Sequence, residues 1–211
     1  MRILLTGFEP FGDQAQNPTA QIAEELVGCT IGGSSAAGTP AQSATIVSAV
    51  LPVEFAAVGL ALEHLLQTHQ PELVLSLGLA AGTQALRFER VAINLIDARI
   101  PDNAGAQPVD VPVLPGAPNA YFTTLPVKAM AAAARPVAAT TLSYSAGSYV
   151  CNALMFHALH ATSVSAVRAG FLHVPTADVI PVKTVSAAVV SALEAALTTL
   201  SDVAEPGGSI Y

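Results

Sequence analysis

Short apolar runs alternate with stretches of helical period along the whole of this chain, and that alternation constrains the fold more than any other feature. Residues 2–6 (RILLT), 44–51, 73–78 (LVLSLG), 91–96, 137–142 and 166–172 read as buried strands. The segments between them read as helices. Asn17-Pro18 supplies an N-cap followed by proline at the first helical position, with Ile22, Ala23, Leu26 and Val27 as one apolar face. Phe55, Val58, Leu62, Leu65 and Leu66 mark a second helix, and others are predicted over about 124–134, 148–161 and 185–200. Strand and helix in alternation predict an α/β fold: a three-layer α/β/α sandwich on a mostly parallel, twisted sheet, with residues 1–211 as a single domain. Gly7–Asn17 and Gly32–Ser43 read as loops. Five prolines between Ile100 and Pro118 make that stretch an extended excursion.

A hydrophobic content of 52% and a mean hydropathy of +0.55 raise the question of a membrane. The longest apolar stretches are interrupted by Pro52, Glu54 and His64 and by Glu194, short of the roughly 20 residues a span needs. Only Ile3–Leu5 follow Arg2 before Thr6-Gly7, too brief an apolar core for a secretory leader. Two cysteines do not make a disulfide framework, so cytoplasmic residence with free thiols is the expectation. Net charge is -7 and residues 3–86 contain no Lys or Arg, which argues against a nucleic-acid partner.

Cys151 carries the strongest chemical signal. In SAGSYVCNAL it stands just after a Gly-Ser pair and just before a helix-forming run, where unpaired N–H groups and the helix dipole favour a thiolate. GFLHVP, 22 positions later, is a strand-like run that ends at His173 and is broken by Pro175. In an open parallel sheet, a helix start and a strand's carboxyl end meet on one edge, so these two residues are a candidate nucleophile and base. Glu89, Asp97 and Asp102 are all candidates to orient the imidazole, and spacing does not choose among them. Arg99 reads either as an electrophilic stabiliser or as an ion-pair partner of its neighbouring acids. Phe8 and Phe11, three apart on a predicted turn, suit an apolar clamp for a flat ligand or a loop packed on its own domain. Cys29, His64, His69, His157 and His160 read as structural or surface residues, with His157 turned away from the sulfur.

GFEPFG (7–12), ERVAINLIDARIPDNAGAQP (89–108), AYFTTLPVKAM (120–130), SAGSYVCN (145–152) and GFLHVP (170–175) together closely resemble the pyrrolidone-carboxylate peptidases, the pyroglutamyl peptidase I family. The resemblance implies a cytosolic cysteine exopeptidase that removes N-terminal pyroglutamyl residues, commonly as a homotetramer, without metal or cofactor. It places the family's catalytic triad on Glu89, Cys151 and His173. Its ring-binding phenylalanines fall on Phe8 and Phe11, further pocket positions on Ile100, Tyr149 and Val150, and an arginine near the reacting carbonyl on Arg99. The chain departs from the family's usual Gln-Ala-Gly-Gly-Arg at Leu79 and Thr83, and from a common glycine at Asp13. The Leu79 departure motivates a second reading, a catalytically weak relative that binds pyroglutamyl peptides or another small cyclic amide. A nucleoside-processing enzyme on a similar layout would need a phosphate site, against which the missing basic residues count.

Overall fold

The computed structural model describes residues 1–33 and 42–208. A seven-stranded sheet runs in the order β2 (Thr30–Gly33), β3 (Gln42–Leu51), β1 (Arg2–Phe8), β4 (Leu73–Leu79), β9 (Arg168–Val174), β5 (Leu86–Glu89) and β8 (Thr140–Ser143). Strands β3, β1, β4 and β9 are mutually parallel. β2 is antiparallel to β3 and β5 is antiparallel to β9, while β8 is parallel to β5. β6 (Val91–Ile93) and β7 (Ala120–Phe122) form a separate antiparallel ribbon.

The central strands β1 and β4 are buried at nearly every position because helices cover both faces. Side-chain alternation sends Ile3, Leu5, Leu75, Leu77, Leu172 and Val174 to one face. There they pack on α1 (Pro18–Leu26), α3 (Val127–Ala134) and α5 (Val182–Thr198). Leu4, Phe8, Val74, Ala169 and Phe171 point to the other, against α2 (Phe55–His69) and α4 (Val150–Thr162). Each fully buried Leu, Ile or Phe contributes about 1.5–3 kcal/mol. This is the expected three-layer sandwich. α1 starts as its sequence predicts: Asn17 Oδ1 accepts from the Thr19 N–H at 3.1 Å, with Pro18 at the first helical position.

Several boundaries differ from expectation. β1 continues through Gly7 to Phe8, so Phe8 ends a strand and lies in the core instead of on a turn. The expected strand 91–96 is only Val91–Ile93 and belongs to the ribbon, not the main sheet. The helix predicted near 124 begins after Pro126, which cannot donate within a helix. β2 and β3 take up both ends of the expected Gly32–Ser43 loop, and its residues 34–41 lie outside the described residues. The Pro-rich 100–118 segment is an irregular excursion, as its prolines require, held by an isolated bridge between Ile96 and Val111. Among the described residues no helix is long and apolar enough to cross a membrane.

Candidate active site

Cys151 occupies the first turn of α4 on the face shared with Phe171. Tyr149, at the N-cap, makes no side-chain capping bond, so it leaves the first-turn N–H groups free of its own side chain as an acceptor. The route by which Cys151 arrives differs from expectation. β8, the strand before α4, runs opposite to β9, because β5 and β8 form a reversed pair at the sheet edge. The loop 144–149 carries the chain back before α4 begins, and only then does the sulfur reach the carboxyl end of β9.

Close approach there depends on Gly78. It pairs with His173 in the β4–β9 register, and a Cβ at position 78 would lie 2.8 Å from Cys151 Sγ and 2.7 Å from Phe171 Cζ. Asn152 fixes the helix start from the other side. Its Oδ1 accepts from the Ile93 N–H at 2.9 Å, and its Nδ2 donates to Ile93 O at 2.9 Å and Leu95 O at 3.1 Å. It is fully buried and acts as a strand-like partner for β6.

His173 lies at the carboxyl end of β9, 7% exposed, with its ring 4.9 Å from that of Phe171. Its Nδ1 is 2.8 Å from Oε1 of the fully buried Glu89, which assigns the Nδ1–H as donor and turns Nε2 away from the carboxylate. Burial works against a charged ring. The nearby Cys151 sulfur and the hydrogen bond to Glu89, with the charges of those two groups, outweigh it and raise the imidazole to about 9. The structure thus brings Cys151, His173 and Glu89 together.

The other acids are occupied elsewhere. Asp102 accepts from the Phe55, Ala104 and Ala106 N–H groups, organising its own loop and the start of α2. Asp97 is exposed and engages Ser148 through its backbone. Arg99 is exposed and forms no ion pair with either acid.

Around this centre, Phe11 and Phe55 pack on Tyr149, with ring centroids 5.9 and 5.3 Å away. Burial, followed by the nearby charges of Asp102 and Cys151, raises the Tyr149 phenol, which donates to Pro101 O at 3.0 Å. Ile100 is exposed beside Gly12, whereas Phe8 and Val150 are buried in the core beneath. Leu79 is buried too, and strand alternation puts it on the face opposite Gly78. His157 packs its ring against Gly59 of α2, and His160 bonds to the Tyr121 hydroxyl at 2.8 Å.

A sequence profile of the pyroglutamyl peptidases matches residues 1–203. The chain belongs to the pyroglutamyl peptidase family. A pyrrolidone-carboxylate peptidase of Pseudomonas fluorescens (strain SBW25) is 40% identical over 99% of this chain and 98% of its own length. One from Pyrococcus furiosus is 44% identical over 83% of this chain and 81% of its own. The solved pyrrolidone carboxyl peptidase of Thermococcus litoralis superposes with a TM-score of 0.89 at 36% identity, covering 97% of this chain and 99% of that one. Pyroglutamyl peptidase I of Bacillus amyloliquefaciens does so with 0.86 at 33% identity, over 96% and 99%. Pyroglutamyl peptidases are cysteine peptidases, and the site holds a histidine paired with a glutamate beside a cysteine at a helix start.

Three residues with a part in this geometry escape a reading of motifs. Gly78 is one apolar-strand glycine among several. Asn152 looks like an ordinary helix-start residue, and Arg87 lies in a four-residue strand without clear alternation.

Proposed function

We propose that this chain is a cysteine exopeptidase that releases N-terminal pyroglutamyl residues from peptides, with Cys151 as nucleophile, His173 as acid and base, and Glu89 as the group that orients the imidazole. The observation that carries the proposal is the 2.8 Å pairing of His173 Nδ1 with a buried Glu89 beside a cysteine at a helix start. A histidine raised to about 9 is an imidazolium at neutral pH, which suits an ion pair with a thiolate. The thiolate attacks the pyroglutamyl carbonyl, and the first-turn N–H groups of α4 stabilise the oxyanion. His173 gives its proton to the departing amine as the C–N bond breaks, leaving a thioester. It then takes a proton from water, whose oxygen displaces the sulfur and frees pyroglutamate.

The ligand is a neutral lactam with no ammonium to neutralise, so an apolar pocket with a few amide-matching hydrogen bonds suits it. Phe11, Tyr149 and Ile100 supply apolar surface beside the sulfur in this reading. Phe8 and Val150 support them from the core, and the exposed Arg99 is assigned by family likeness to the neighbourhood of the reacting carbonyl. The reading needs no metal or cofactor. Residues 1–211 act as one peptidase domain. Cytoplasmic residence is supported by two free thiols. A homo-oligomer, a tetramer by family habit, is supported by exposed apolar side chains such as Phe122 and Val109, and light scattering tests it.

Release of a fluorogenic amine from a pyroglutamyl amide tests the activity, with loss of turnover in Cys151→Ser as the expected result. A folded wild type that binds the peptide without turning it over selects the silent-relative reading, and Leu79→Gln then shows what that position withholds.

A further inference from the structure

We propose that Arg87 is a positioning residue for the reaction, a fixed counter-charge that holds the Glu89 side chain aimed at His173 while the imidazole cycles through its neutral form. The inference rests on the Cys151–His173–Glu89 reading above. β5 is antiparallel to β9, with Arg87 directly opposite His173 and Glu89 opposite Phe171. Alternation puts all four side chains on one face of the sheet. Glu89 is fully buried: its Oε1 accepts from His173 and lies 3.8 Å from Arg87 Nε, and its Oε2 has no hydrogen-bond partner among the described residues. The charged or titratable groups that face it are His173 on β9 and Arg87 on its own strand, with Cys151 of α4 beyond the imidazole; Ser143, the neighbour on β8, is uncharged.

A buried carboxylate without a counter-charge is costly. The imidazolium meets that need only while it holds its second proton, which the reaction removes. When His173 has protonated the leaving amine, Glu89 faces a neutral ring, and Arg87 is then the remaining cation beside it. A guanidinium never loses its proton under working conditions. Arg87 is also tied down, because its Nη2 donates to Ser143 Oγ at 2.7 Å, and Ser143 in turn bonds within the turn that leads toward α4. Its side chain is 37% exposed, so solvent screens part of the attraction and the effect is moderate.

The test compares Arg87→Met, Arg87→Lys and Ser143→Ala with wild type and Cys151→Ser on a pyroglutamyl fluorogenic amide, across pH, with melting curves to verify folding. Arg87→Met is expected to lower kcat about tenfold with KM changed less than about twofold. It should also move the alkaline limb of the profile to higher pH, since loss of a neighbouring cation favours the His173 imidazolium. Arg87→Lys is expected to restore the limb and most of the rate. Wild-type kcat and limb positions in Arg87→Met overturn the proposal, as does equal impairment in the Met and Lys variants, which assigns a packing role. If Arg87→Met does not fold, Ser143→Ala decides: a lower kcat with a shifted limb supports the proposal and an unchanged profile refutes it. Failure of the underlying peptidase reading looks different, as no turnover by wild type or turnover that survives Cys151→Ser.

Discussion

Gly78→Ala adds a single methyl group, and the structure says where it goes. Gly78 has no left-handed backbone conformation, so alanine is compatible with the chain and any effect is steric. The new Cβ would stand 2.8 Å from Cys151 Sγ and 2.7 Å from Phe171 Cζ, where ordinary contact begins at 3.4 Å. About 0.6 Å must therefore be found on the sulfur side and about 0.7 Å on the ring side. Phe171 is fully buried and packs against His173, so it cannot swing clear without taking the imidazole with it. The half-buried Cys151 has more freedom and yields first. A nucleophile displaced by most of an ångström loses about 10²-fold in rate, while overpacking costs about 1–3 kcal/mol of stability. Initial rates on a pyroglutamyl fluorogenic amide, alkylation of Cys151 by iodoacetamide and thermal melting separate the two effects. The expected result is a collapse of kcat/KM and a changed alkylation rate with a melting temperature only several degrees lower. Wild-type kcat/KM and alkylation in a folded Gly78→Ala protein would refute the placement of the sulfur against this strand.

Raising pH through about 9 should extinguish activity as His173 loses its imidazolium proton, and a pH–rate profile reads this as an alkaline limb belonging to the coupled thiol–imidazole pair. The same shift makes His173 stabilising below its unfolded value near 6.5, with that contribution declining as pH rises and gone above about 9, which denaturant titrations at several pH values should show. Asn152→Ala leaves the Ile93 N–H, Ile93 O and Leu95 O without their partner, at about 1–3 kcal/mol for each one that stays buried and unpaired; chemical denaturation should show the loss and kinetics a fall in kcat. Asp202 caps α3 from outside by accepting from the Lys128 and Ala129 N–H groups, so Asp202→Ala should cost about 0.5–2 kcal/mol by melting while leaving kcat unchanged.

The layered fold was legible because β1, β4 and β9 are buried on both faces and read as mostly apolar runs. β5 has four residues, Leu-Arg-Phe-Glu, and β7 three, too short for any period to register. Strand direction was less accessible still. The reversal of β5 and β8 is decided by pairing across the sheet, and the segments leading into them read the same either way. Cys151 and His173 were found from local context, a helix start and a strand end, which is where backbone polarity and sheet geometry leave readable marks. Glu89 was not separable from Asp97 and Asp102 by spacing and came from family resemblance alone. Only coordinates show that Asp102 is spent on loop N–H groups while Glu89 sits behind the imidazole.

The proposed machinery straddles the seam where the four parallel strands meet the reversed pair: Glu89 stands on one side of it, and His173 with Cys151 on the other. A molecule whose edge ribbon β5–β8 had peeled away would keep its central strands, most of its helices and most of its spectroscopic signature, yet it would be chemically dead. Turnover in such a protein is a stricter gauge of a finished native state than helix content or compactness, because it registers the docking of the last two strands.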